Sequence, residues 1–97
     1  MTTEESGVVT EKPRDSLFHK HCLKDLLYWS KKDPKKCNHI LKLISEACRD
    51  LATGRGKPEA LSGDRSGQWS RRIDQKNRLL YKATNGEVKF LRARGHY

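Results

Sequence analysis

Glu59 is the only glutamate between Glu46 and Glu87, set in a glycine-rich stretch beside Lys57 and Pro58, and His96 is the only histidine in the C-terminal half. A carboxylate and an imidazole make a natural general base and general acid near neutral pH. Each also has a plainer reading. Glu59 is then a surface carboxylate paired with a neighbouring cation, and His96 an exposed residue beside the chain end. As a pair they suit phosphodiester transesterification in RNA. The carboxylate takes the proton of a ribose 2′-hydroxyl, which attacks phosphorus while the imidazolium protonates the departing 5′-oxygen. An arginine beside them would neutralise charge building on the phosphoryl oxygens. This scheme calls on no cofactor or metal.

Around these two residues the sequence gathers Lys57, Arg71, Arg72, Arg78, Arg92, Arg94 and Tyr97, interleaved with Trp69 and Tyr81. Cations that meet phosphates and rings that stack on unpaired bases are the means by which single-stranded RNA is held. The plainer alternative is a solvated basic face over an aromatic core. A second constellation, His19, His21, Cys22, Cys37 and His39, offers zinc ligands. It lacks the paired spacing of structural zinc motifs, so no metal site is expected from it.

Elements of definite type must position these groups. Ser16 to His19 reads as a short edge strand, and Leu23, Leu26, Leu27 and Ser30 follow helical spacing, with Tyr28 and Trp29 widening the apolar face. Asp33-Pro34 is a cap residue followed by proline at the first helical position. Cys37, Ile40, Leu41, Ile44, Ala47, Cys48 and Leu51 then recur at steps of three and four, which predicts a second helix ending around Gly54. From Trp69 the period becomes two. Strands are predicted over 69–74, 78–84 and 88–94, with Asn85-Gly86 as a two-residue hairpin turn. That turn sets Arg78 opposite Ala93, Leu80 opposite Leu91 and Tyr81 opposite Phe90. Strict alternation then leaves His96 on the face opposite Arg78, so a site using both requires the chain to bend or leave the ladder near Gly95. The fold class is α+β, two N-terminal helices packed on one face of an antiparallel sheet.

The 97 residues suffice for one domain. The chain carries 21 bases and 12 acids, a formal +9; of these, 2 bases and 4 acids fall in residues 1–15, which leaves +11 on residues 16–97. Residues 1–15 are expected to form a disordered acidic tail, and residues 16–97 the single domain. A domain so basic favours an acidic partner, nucleic acid first. No apolar run approaches the ~18 residues of a membrane span. Three cysteines without a C-x-x-C pattern predict reduced thiols and a cytoplasmic, membrane-free protein.

Several stretches together resemble one family. Tyr28-Trp29, the helix start at Asp33, G-K-P-E-A-L from Gly56, S-G-Q-W-S-R-R-I from Ser66, N-R-L-L-Y from Asn77 and the final G-H-Y are similar to the YoeB (Txe) branch of the RelE-type bacterial toxins. These are ribosome-associated messenger-RNA endonucleases. The resemblance runs along residues 16–97 without a gap. It implies a microbial-ribonuclease-like α+β fold with Glu59 as general base, Arg78 as transition-state arginine, His96 as general acid and Tyr97 as the terminal tyrosine of the site. It matches Arg72 to a phosphate-contacting arginine; Lys57, Arg71 and Arg94 join it as expected RNA-phosphate contacts. It implies further a homodimer, cleavage of messenger RNA in the A site of the 70S ribosome, and neutralisation by a YefM-like antitoxin. Ser62, Gln68 and Gly95 depart from the family pattern, at a phosphate contact and at two aromatic positions.

The resulting expectation is the toxin of a type II toxin-antitoxin system, an endoribonuclease that inhibits translation. The alternative is a non-catalytic basic RNA- or ribosome-binding module on the same fold. Tyr28 and Trp29, beside Leu23, Leu26 and Leu27, are expected to supply the dimer surface.

Overall fold

The computed structural model describes residues 13–96. The chain runs β1 (Asp15–Phe18), α1 (Lys20–Lys32), α2 (Pro34–Arg49), β2 (Glu59–Ala60), a 3-10 turn (Gly63–Arg65), β3 (Gln68–Arg72), β4 (Arg78–Thr84) and β5 (Glu87–Arg92). The expected tail boundary at residue 15 is too late. Arg14 already donates its N–H to the Cys48 carbonyl at 2.9 Å, and Asp15 opens β1. Residues 1–12 of the expected tail lie outside the described residues.

The strands form one sheet in the order β1-β5-β4-β3-β2. β1 is an edge strand, as expected, but pairs parallel to β5; the other pairings are antiparallel. Cys22 and Trp29 of α1 pack with Ile40, Leu43, Ile44 and Ala47 of α2 against Leu79, Tyr81, Val88 and Phe90 of the sheet. This is the α+β architecture read from the change of period.

Asp33 joins the helices. Its N–H closes α1 on the Trp29 carbonyl at 2.8 Å, and its side chain caps α2 by accepting from the Lys36 N–H at 3.2 Å. Pro34, with no N–H to satisfy, fits the first position. α2 stops at Arg49, five residues short of the expected Gly54: the Cys48 carbonyl accepts from the Arg14 N–H, and the Ala52 N–H that would have reached it donates to Asp50 Oδ1 at 2.9 Å instead. Beyond the helix, Arg71 collects the carbonyls of Asp50, Thr53 and Arg55 at 2.6, 2.7 and 3.0 Å.

The Asn85-Gly86 hairpin is present with Thr84 opposite Glu87 and Tyr81 opposite Phe90. Only Gly86 uses a positive φ, +85°. The expected pairing of Leu80 with Leu91 is not found. A bulge between Leu80 and Tyr81 in the β4–β5 ladder moves Leu80 opposite Arg92, and β5 ends there rather than at Arg94. One extra residue reverses the facing of everything beyond it. Arg92, which strict alternation would turn toward the helices, shares the outer face with Leu80.

Trp29 also departs from expectation. It is core, 7% exposed, and its indole N–H donates to the Ala93 carbonyl at 2.8 Å. The exposed apolar residues of α1 are Leu23 and Leu27, at 47% and 63%.

Candidate active site

The outer sheet face begins with a row set by register: Glu59 of β2, Ser70 of β3, Leu80 of β4 and Arg92 of β5. Cross-strand neighbours share a face. Arg78, two residues before Leu80 on the same strand, therefore faces the same way, with Arg72 opposite it on β3.

His96 reaches that face by two steps. The bulge supplies the first. The second is a clamp on Gly95, whose carbonyl accepts from the Arg78 N–H at 3.0 Å and whose N–H donates to Asn77 Oδ1 at 2.8 Å. Gly95 takes φ +79°, open to glycine and rarely to other residues. Arg78 and His96 then line one narrow cleft together with Leu80, Arg92, Arg94 and Gly95. The geometric demand left by strict alternation is met by the bulge and by this clamp.

The turn between β3 and β4 holds Arg78 in place. Arg78 Nη1 donates to the carbonyls of Asp74 and Asn77 at 2.7 and 3.1 Å. Asp74 organises the turn, accepting from Lys36 Nζ at 2.6 Å and from the backbone N–H groups of Lys76 and Asn77 at 2.8 and 2.7 Å. Burial pushes the Asp74 carboxyl up, but the hydrogen bonds from Lys36, Asn77 and Lys76 outweigh it and hold the group below the usual carboxylate range. Asp74 and Asn77 carry no role in the sequence reading. The signal for them is the D-x-x-N spacing between two strands, an Asx-turn pattern.

Arg71 is corrected. It was expected to contact RNA phosphate, yet its side chain is fully buried on the helix side of the sheet. Besides the three carbonyls that follow α2, it donates through Nε to Tyr81 Oη at 2.9 Å, and Tyr81 Oη donates in turn to the Leu51 carbonyl at 2.8 Å. It staples the 50–56 segment, which delivers Lys57, Pro58 and Glu59. Gly56 finishes the connection at φ +88°, with its carbonyl accepting from the Arg72 N–H. A Cβ there would stand 2.9 Å from the Arg72 carbonyl oxygen.

The remaining predicted residues are distributed along the trough. Lys57 is exposed, and among the described residues it is the one non-glycine with positive φ, +49°. Arg72 is exposed at the end of β3. Arg94 stacks its guanidinium 3.6 Å from the centroid of the Tyr28 ring, which anchors it to α1. Glu59 is exposed and lines a cleft of about 370 Å³ with Leu61, Ser62, Asp64 and Arg65, apart from the Arg78–His96 cleft. Arg65 also lines a third cleft, which shares Leu80 and Arg92 with the Arg78–His96 cleft. Through these shared residues the three adjoin as one trough from Glu59 to His96, with Glu59 and Asp64 at one end and Arg78, Arg92 and Arg94 at the other. Tyr97 lies outside the described residues.

Among the described residues, no three of the His, Cys, Asp and Glu side chains cluster as metal ligands. Burial, and then the charge of Asp25, push the Cys22 thiol up to about 12, which makes it a core residue rather than a nucleophile. Among the described residues, no helix is long and apolar enough to cross a membrane.

Comparison with known proteins places this arrangement. The toxin RelK of Mycobacterium tuberculosis is 48% identical over 80 residues, covering 82% of this chain and 94% of its own. The fold superposes on a YoeB/ParE toxin from Agrobacterium tumefaciens with a TM-score of 0.81 at 33% identity, covering 86% of this chain and 99% of that one. It superposes on the YoeB dimer of Staphylococcus aureus with a TM-score of 0.80 at 29% identity, over 89% and 100% of the two chains. The S. aureus toxin is also known in a heterotetrameric complex with YefM, matched with a TM-score of 0.78 at 29% identity over the same shares. A family model described as the YoeB-like toxin of bacterial type II toxin-antitoxin systems matches residues 18–97. With the match spanning both helices, strands β2 to β5 and the 56–61 and 66–81 stretches, the chain belongs to the YoeB-like toxins of type II toxin-antitoxin systems.

Proposed function

We propose that this toxin is an endoribonuclease that cuts messenger RNA in the ribosomal A site and so inhibits translation. The observation that carries the reading is the shared cleft of Arg78 and His96, on the same sheet face as Glu59. Glu59 accepts the 2′-hydroxyl proton, and the oxygen attacks phosphorus. The bond from phosphorus to the 5′-oxygen breaks as His96 gives that oxygen its proton. The products are a 2′,3′-cyclic phosphate and a 5′-hydroxyl end. An in-line displacement places base and acid on opposite sides of the phosphorus, so the two groups need not touch. Arg78 is held by backbone carbonyls and so meets the developing phosphorane charge without first being ordered. Lys57, Arg72 and Arg94 hold flanking phosphates, and Tyr97 completes the site. The chemistry uses no cofactor.

The same reading assigns a homodimer, a YefM-like antitoxin and a cytoplasmic setting. The resemblance to the S. aureus YoeB dimer and YoeB–YefM complex supports the first two. One observation favours the non-catalytic binding module instead: Glu59 lines a different cleft from Arg78 and His96. Primer extension on a translated message, with and without ribosomes, decides between them. The enzyme gives ribosome-dependent stops that Glu59→Gln suppresses. The binding module stalls translation without new RNA ends.

A further inference from the structure

Arg92 reaches the outer face because of the bulge, and its Nε–H is buried with no hydrogen-bond partner among the described residues. It borders the Arg78–His96 cleft on one side. On the other it borders the third cleft, of about 310 Å³, lined by His19, His21, Arg65, Leu80, Leu91 and Arg92. That volume is at the lower end of the ~300–1,000 Å³ usual for small-ligand sites.

Among the described residues, no acidic side chain lines this third cleft. Asp25 stands 3.7 Å from His21 Nε2, but it is 7% exposed and accepts the Ala93 N–H at 2.9 Å. His19 uses Nδ1 to accept the His21 N–H at 3.1 Å, so a neutral His19 ring carries its proton on Nε2, the atom left to donate. Leu91, half-buried, adds an apolar surface, while Leu80 lines the cleft at only 2% exposure. Cationic donors beside an apolar wall match a nucleotide, with its phosphate on the donors and its ribose or base on Leu91.

We propose that this cleft is a nucleotide subsite, holding the RNA nucleotide that flanks the scissile one, with Arg92 as its phosphate contact and His19 as a second donor. The inference rests on the ribonuclease reading above. Continuity favours RNA over another anionic ligand: Leu80 and Arg92 line both clefts, so a strand with its scissile phosphate at Arg78 runs directly into the second.

The test is binding of 2′-O-methyl oligoribonucleotides, which lack the attacking hydroxyl, of two and of four nucleotides. Wild-type protein is compared with Arg92→Leu, Arg92→Lys and His19→Asn, the last keeping a helix-capping side chain. Wild type should gain affinity with length. Arg92→Leu should lose roughly 10- to 100-fold on the tetranucleotide and little on the dinucleotide. Its logarithmic salt slope should fall by about 0.7, the value for one phosphate contact on a single strand. Arg92→Lys should keep the slope and lose part of the affinity, and His19→Asn should give a smaller loss in the same direction. Wild-type affinity and slope in Arg92→Leu would overturn the subsite, as would a loss confined to antitoxin binding, which would assign the cleft to the antitoxin. Wild-type protein that neither binds nor cuts RNA would defeat the functional reading itself.

Discussion

Glu59 and Arg71 show how differently two charged residues on paired strands can be used. Glu59 is exposed on a two-residue edge strand, while Arg71, one position along β3 from its partner Ser70, is wholly buried. Glu59→Gln and His96→Gln keep shape and remove one proton-transfer group each, so each should lower single-turnover cleavage by ~100- to 10,000-fold with ribosome affinity little changed. Cleavage at the wild-type rate in both would dismiss the acid–base assignment. Arg71→Met should instead act on stability. It strands the carbonyls of Asp50, Thr53 and Arg55 and the Tyr81 hydroxyl, at a loss of about 3 kcal/mol or more in urea unfolding. A stable Arg71→Met protein with impaired RNA binding would return Arg71 to the phosphate contacts.

At the scale of the element, the turn between β3 and β4 links the fold to the site. Asp74 accepts from Lys36 on α2, forms the turn with Asn77, and Asn77 holds Gly95 next to His96. Because the Asp74 carboxyl is held below its ordinary value of 3.8, the folded state releases this proton more readily than the unfolded chain does. Its contribution is therefore complete above about pH 4 and is lost as pH falls toward the folded-state value. Thermal unfolding followed between pH 5 and 2.5 should show a steeper loss of Tm in wild type than in Asp74→Asn, which begins less stable. Parallel curves would remove Asp74 from the acid sensitivity. The same variant should lower cleavage at neutral pH, since the turn that orders Arg78 and Gly95 is loosened.

For the whole molecule, charge and exposed apolar surface set the partners. A basic trough that must be silenced suits an acidic antitoxin segment laid along Arg78, Arg92 and Arg94. The proposed dimer is assigned to the exposed Leu23 and Leu27 surface of α1, since Trp29 is occupied by the core. Leu27→Glu should weaken the dimer by at least tenfold in sedimentation or light scattering without lowering monomer stability. An undiminished dimer would move the interface elsewhere. Deleting residues 2–12 removes three acids and one base and raises the formal charge from +9 to +11. That variant should keep both the dimer and cleavage, with tighter RNA binding at low salt. Loss of the dimer on deletion would give the tail a structural role.

Much of this protein is legible along the chain because it depends on local physics. The helix at Asp33-Pro34, the hairpin at Asn85-Gly86 and the change of period near Trp69 are set by side chains acting on their own backbone, and they are found where the spacing puts them. The basic surplus and the family motifs are also properties of the chain itself. What depends on contacts between distant segments was not legible. Periodicity cannot report a bulge, so the facing of Arg92 and His96 became known only from the β4–β5 ladder. Composition counted Arg71 among the RNA contacts, and only the carbonyls gathered around it show that it is interior. It assigned Trp29 to the surface, whereas the Ala93 carbonyl, 64 residues away, draws its indole inward. Spacing along the chain determined which elements form; the alignment of one strand against another decided which side chains meet, because a shift of a single residue turns a strand's side chains to its opposite face.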